Sequence, residues 1–274
     1  MEKRKNTVLL FSKVPETGLV KTRLSILKDG MYPPETACEL YRCMLLDVVE
    51  IICAALDDLE SETDSYELVV STTPTANVPV MEQLLANERY SRPIAVIADE
   101  GASFDEHYND AFDQCWQRGA DCILSMGADM PALTKADIRF GFEQLHKLCD
   151  KPEGGIVIAP DQEMGVSVIG WTRTTTFDHS GVFYNAEGLT VLPAYIAKAR
   201  EAGLPALWLP PIPDIDTMAD FFHNITLVHA LVYCAEFDDI CPARRTAEAF
   251  IDLGFREVRI APNNLFDPRE HIDQ

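Results

Sequence analysis

The sequence predicts an α/β protein: a mostly parallel sheet with helices on both faces, a three-layer sandwich. Three observations carry that expectation. Short β-branched apolar runs alternate with stretches of helical period along the chain. No repeat of solenoid length is visible, and no Gly/Ser- or Pro-rich linker divides the chain. At 274 residues, 47% hydrophobic and 24% charged, the chain can bury a large core without disulfides or structural metal.

Taken in order, Thr7 to Lys13 is a short apolar run with β-branched character, and Pro34 to Leu59 sets Leu40, Leu45, Val48, Val49, Ile52 and Leu56 at helical spacing. Glu67 to Thr72 reads as a strand, Val80 to Glu88 as a helix and Ile94 to Ala98 as a strand. Phe104 to Arg118 is a helix stopped by Gly119, Cys122 to Met126 a strand, and Lys135 to Leu148 a helix capped by Thr134. Gly155 to Ala159 and Val166 to Trp171 are strands, Leu189 to Ala202 a helix closing at Gly203, and Pro205 to Leu209 strand-like. A long helix over Thr217 to Tyr233, another over Pro242 to Leu253 stopped by Gly254, and a strand over Glu257 to Ile260 complete the chain. Ligands of such sheets sit at the carboxyl ends of the strands. Chemistry is therefore expected in the loops after Lys13, after Met126 and before Asp216.

The net charge of -21, from 23 Lys and Arg against 44 Asp and Glu, repels nucleic acid and anionic membranes. An anionic ligand then needs a local basic pocket or a divalent cation. No apolar run approaches a membrane span, and the basic start at Met1 to Asn6 runs straight into Thr7 without an apolar leader core. The expected location is the cytoplasm. The 8 cysteines form no C-x-x-C pair and read as reduced, core-filling thiols rather than a zinc site.

Three segments carry chemistry. Phe11-Ser12-Lys13-Val14-Pro15-Glu16-Thr17-Gly18-Leu19-Val20-Lys21-Thr22-Arg23-Leu24 follows the first strand. Gly18 lets backbone N–H groups approach phosphate oxygens, and Lys21 and Arg23 supply charge. The loop is neither a Walker A motif nor a G-x-G-x-x-G fingerprint, and alone it reads equally well as a solvated basic turn. In Ser125 to Thr134, Asp129 stands just past an apolar strand, where a carboxylate can hold Mg²⁺ or Mn²⁺ or close an Asx turn. In Pro213 to Phe221, Asp216 and Thr217 open a helix, so either could be only its cap. With Asp129, Asp216 makes a two-carboxylate metal site.

In this order the segments resemble the bacterial family of uncharacterised GT-A-type, nucleotide-diphosphosugar transferase-like glycosyltransferases, relatives of the molybdopterin guanylyltransferases. Lys13, Pro15, Gly18, Val20, Lys21, Thr22, Arg23 and Leu24 match K-x-P-x-x-G-x-V-K-T-R-L. Gly127, Asp129, Pro131 and Leu133 match G-x-D-x-P-x-L, and Asp214, Asp216, Thr217 and Asp220 match D-x-D-T-x-x-D. The resemblance spans about residues 6 to 222 and implies a Rossmann-like GT-A sheet. It divides the chain into a nucleotide-diphosphosugar transferase-like domain, 1–222, and a helical and strand extension, 223–274, packed on it. It implies nucleotide contacts from Phe11, Lys13, Gly18, Lys21, Thr22, Arg23 and Gly127, a metal on Asp129 and Asp216, and catalytic roles for Lys21 and Asp129. The partners implied are a nucleotide or nucleotide sugar and a small acceptor, with room for a homodimer.

The family's P-x-x-D-G-G-Y-x-L-I-G stretch is here Pro160 to Gly170, with Glu163, Met164 and Val166 substituted, which reshapes the acceptor side. Its G-D-L-G-x-R-M is reduced to the first glycine, Gly101. Glu163, Gly165 and Trp171 are the expected acceptor contacts. Trp116 and Trp208 read as core, His107 as a surface residue with general base as its alternative, and Phe177 to Tyr184 as either a mobile lid or plain connection. Three functions stay open: a metal-dependent glycosyltransferase, a nucleotidyltransferase acting on a phosphorylated small molecule, and a nucleotide-binding domain without turnover.

Overall fold

The computed structural model describes residues 3–256. The strands are β1 (Arg4–Phe11), β2 (Asp64–Thr72), β3 (Ile94–Ala98), β4 (Cys122–Gly127), β5 (Ile156–Pro160), β6 (Val166–Thr172) and β7 (Ala206–Trp208). They form one seven-stranded sheet in the order β3-β2-β1-β4-β6-β5-β7. Only β6 is reversed, pairing antiparallel with both β4 and β5. The short loop between β5 and β6 permits only a hairpin, because a parallel return needs a dozen or more residues. The strand expected over 257–260 lies outside the described residues.

The helices are α1 (Pro34–Leu59), α2 (Val78–Ala86), α3 (Phe104–Gln117), α4 (Lys135–Cys149), α5 (Val191–Glu201), α6 (Met218–Cys234) and α7 (Arg244–Asp252). Alternation along β1 sets the layers: Val8 and Leu10 face a core shared with α1, α2, α4, α6 and α7, while Leu9 faces a second core with α3 and α5. Helix α7 covers α1. Asp47, buried on α1, accepts hydrogen bonds from Thr246 N at 2.7 Å and Thr246 Oγ1 at 2.8 Å, and Arg245 binds Asp47, Glu50 and Glu88.

Two expectations from the tryptophans are corrected. Trp208 is 56% exposed rather than core, because β7 is a three-residue edge strand. Trp171 is buried, stacked on Phe112 at 4.3 Å and packed against Phe177 and His179. It cannot reach an acceptor. The segment from Phe177 to Tyr184 is also pinned to α3 rather than free. Asp105 accepts the N–H of Gly181 and of Phe183, both at 2.8 Å, and Asn109 Oδ1 accepts from His179 N and Nδ1.

Candidate functional site

Strand order reverses between β1 and β4, so the crevice at their carboxyl ends is where such a sheet takes a ligand. Phe11, the last residue of β1, pairs in register with Gly127, the last of β4, and with Ser71 of β2. The loop after β1 is anchored by buried Val20 and Leu24, the latter's carbonyl accepting from Met31 N and Tyr32 N. Gly18 turns it at φ +83, and Lys21 sits at φ +45, a left-handed conformation costly for a side-chain-bearing residue.

That conformation accompanies an inward Lys21. Its ammonium donates to Asp129 Oδ2 at 2.5 Å and to Asp216 Oδ1 at 2.8 Å, with the side chain only 7% exposed. Arg23, at 62% exposed, reaches the other Asp216 oxygen at 3.6 Å. Three distant stretches therefore meet on one nitrogen. Ile215 N donates to Asp129 O at 3.0 Å, which brings the third stretch to the end of β4. A Cβ on Gly127 would stand 2.8 Å from Asp129 Oδ1, so a side chain there would displace the carboxylate.

Thr217 and Asp220 form the capping box of α6, which leaves the Asp216 carboxylate free to face Lys21. Asp220 also accepts from Gln162 Nε2 at 2.7 Å, and the same nitrogen donates to Asp214 Oδ1 at 2.9 Å. The expected acceptor loop is thus tied to the carboxylate stretch. Within it, Asp161 Oδ1 accepts from Glu163 N and Gly165 N, holding Glu163 outward and exposed. A Cβ on Gly165 would overlap Asp161.

Burial lowers the proton affinity of Lys21, but Asp129 and Asp216 outweigh it and hold the ammonium above the ordinary lysine range. Lys21 in turn holds Asp216 below the usual carboxylate range. Burial, reinforced by the charges of Asp129 and Asp216, pushes Asp214 up to about 7. Of the remaining expected contacts, Lys13 is exposed, with its N–H on the buried Tyr41 hydroxyl at 3.2 Å. Thr22 is half-buried, its carbonyl accepting from Ser25 Oγ. Phe11 stacks on Tyr108 at 3.8 Å.

One polar cluster at this edge escaped the sequence reading. His107 Nδ1 lies 2.6 Å from Oδ1 of buried Asp99, whose Oδ2 accepts from Ser71 Oγ at 2.7 Å. His107 is therefore a paired residue at the ends of β2 and β3, not an isolated surface one. Its spacing of eight from Asp99, across a strand-to-helix turn, was the available signal. Among the described residues no set of three or more His, Cys, Asp and Glu side chains gathers to hold a metal. Asp129 and Asp216 are a pair around an ammonium. No helix among the described residues is long and apolar enough to cross a membrane.

The same fold occurs in a candidate nucleotide-diphospho-sugar transferase and in a cytidylyltransferase. A candidate nucleotide-diphospho-sugar transferase from Desulfovibrio desulfuricans G20 superposes with a TM-score of 0.66 at 23% identity, over 91% of this chain and 95% of that one. A cytidylyltransferase from Leptospira borgpetersenii serovar Hardjo-bovis superposes with a TM-score of 0.50 at 11% identity, over 94% and 100%. Residues 59–186 match the family described as "Uncharacterized protein conserved in bacteria (DUF2064)". No curated protein matches the sequence.

Proposed function

We propose that the chain is a metal-dependent transferase that takes a nucleotide-activated donor, a nucleotide sugar, at the carboxyl ends of β1 and β4. The observation that carries this reading is the convergence of Lys21, Asp129 and Asp216 at the point where strand order reverses. Asp129 and Asp216 fit a divalent cation, since both already hold one positive centre, the Lys21 ammonium. Bound there, Mg²⁺ or Mn²⁺ would neutralise the diphosphate that leaves with its electron pair.

The chain's own groups do the rest. In this reading the turn at Gly18 and the guanidinium of Arg23 bind the diphosphate, and Lys21 adds charge. Gly127 keeps the Asp129 carboxylate in position. Glu163 and Gly165 line the acceptor side, with Met164 exposed between them. The chain from 223 onward, which includes the rest of α6 and all of α7, acts as an extension packed on the same domain, with α7 tied to α1 by the Arg245 network.

The deciding assay incubates purified protein with Mn²⁺ and a panel of donors. Nucleoside diphosphate released from a nucleotide sugar supports this reading. Pyrophosphate released from a nucleoside triphosphate moves the assignment to nucleotidyl transfer. Nucleotide binding seen as a raised thermal midpoint, without either product, moves it to a domain that binds without turnover.

A further inference from the structure

The placement of the Lys21 ammonium carries a consequence for how the site loads. Asp129 and Asp216 spend their facing oxygens on this one nitrogen, at 2.5 and 2.8 Å. A divalent cation bound by the same two carboxylates needs oxygen contacts of roughly 2.0–2.2 Å, shorter than these, at the place the ammonium now fills. The two cations cannot share it. An ammonium left beside a doubly charged ion would face strong repulsion in a half-buried setting.

We propose that Lys21 is a resident counter-cation of the metal position, exchanged on loading: a divalent cation takes Asp129 and Asp216, and the lysine ammonium passes to the ligand's phosphate oxygens. The inference rests on the reading of those two carboxylates as metal ligands. Three features support the exchange. The lysine side chain is buried beneath the cluster, while Asp216 and Arg23 are open to solvent, so an incoming ion approaches from the opposite side. A flexible four-carbon stem lets an ammonium move several ångströms without moving the backbone. The chain's net charge of -21 makes two adjacent half-buried carboxylates costly without a cation, so the metal-free protein needs an internal one.

Reciprocity follows. Metal alone must displace the ammonium, and phosphate alone must draw it off two carboxylates, so each should bind weakly until the other is present.

The test is Mn²⁺ binding without nucleotide, followed through the free-ion magnetic resonance signal, on the wild type, Lys21→Met, Asp129→Asn and Lys21→Met/Asp129→Asn. The expected result is an affinity about tenfold or more higher in Lys21→Met, lost again in the double variant. If Lys21→Met binds Mn²⁺ no more tightly than the wild type, and Asp129→Asn alone still abolishes binding, the exchange is overturned and the metal ligands stand. If the double variant binds as tightly as Lys21→Met, the ligand assignment fails and takes the exchange with it. A second measurement needs no substitution at Lys21. An amine-acetylating reagent followed by peptide mass mapping should leave Lys21 unmodified in metal-free protein and modify it with saturating Mn²⁺. Unchanged labelling at saturating Mn²⁺ would overturn the exchange.

Discussion

Two corners of the sheet solve opposite problems. At the ends of β1 and β4, charged groups meet half in water: Lys21 holds two carboxylates and Arg23 stands free beside them. On the other side, under α3, Phe112, Trp171, Phe177, Tyr195 and a wholly buried His179 pack ring against ring. Polar contacts in the first corner can be traded for those of a ligand, because solvent reaches them. In the second corner, van der Waals contact fixes positions and nothing is free to exchange. The carboxylates are held by their own stretches, through Ile215 N on the Asp129 carbonyl and the Thr217–Asp220 cap of α6, so their partner can change while they stay in place.

Breaking the wall should give the largest effect. Trp171→Ala removes a buried indole and should cost roughly 3–5 kcal/mol of stability, read from denaturant unfolding. Turnover per folded molecule should hold, since the ring touches no solvent-reachable surface. A selective rise in acceptor KM would instead restore Trp171 to the site. Breaking the charged corner should reverse the pattern. Asp129→Asn should lower turnover on the order of 10²–10³-fold while the fold, checked by circular dichroism, is kept.

These two corners were unequally legible. The charged one was readable because its residues lie in loops directly after apolar runs, where strand ends place side chains. Helix α1 was readable to the residue, Pro34 to Leu59, from a long apolar period opened by a proline. The aromatic wall was not. Its members come from α3, β6, α5 and the connection after β6, and no local pattern announces that His179 is wrapped by Phe112, Trp171 and Tyr195. The same blindness hid the pairing of His107 with Asp99, and it set Trp208 in the core when an edge strand leaves it outside. Periodicity reports which face of an element is apolar; it does not report which elements then cover that face.

His179 sharpens the contrast through pH. Burial pushes it down to about 3 from an ordinary 6.5, and Nε2 has no partner. Between those values the unfolded chain binds a proton that the folded chain does not. This contribution is therefore complete above pH 6.5 and declines as pH falls toward 3, by at most about 1.4 kcal/mol per pH unit. Asp178 and Lys198, which bind each other at 2.9 Å nearby, moderate it in opposite senses. His179→Phe should lose less stability than the wild type on acidification from pH 6.5 to 4, whatever the other groups do. Parallel declines would mean that the ring itself takes up a proton in the folded state as readily as in the unfolded chain.

The smallest expected effect tests how exposed the grip is. Arg23 lies 3.6 Å from Asp216 on the solvent side, so its pairing is worth about 0.2–1 kcal/mol and is open to screening. Arg23→Gln should therefore weaken nucleotide binding about two- to fivefold at low salt, if the guanidinium turns to the diphosphate as one of several cations. At 1 M salt the Debye length shrinks to about 3 Å, and most of that difference should vanish. Lys21, sealed beneath the carboxylates, should keep its effect at the same salt. If the Arg23 difference survives 1 M salt undiminished, the guanidinium is buried against the ligand, and the charged corner closes over the diphosphate more completely than its open geometry implies.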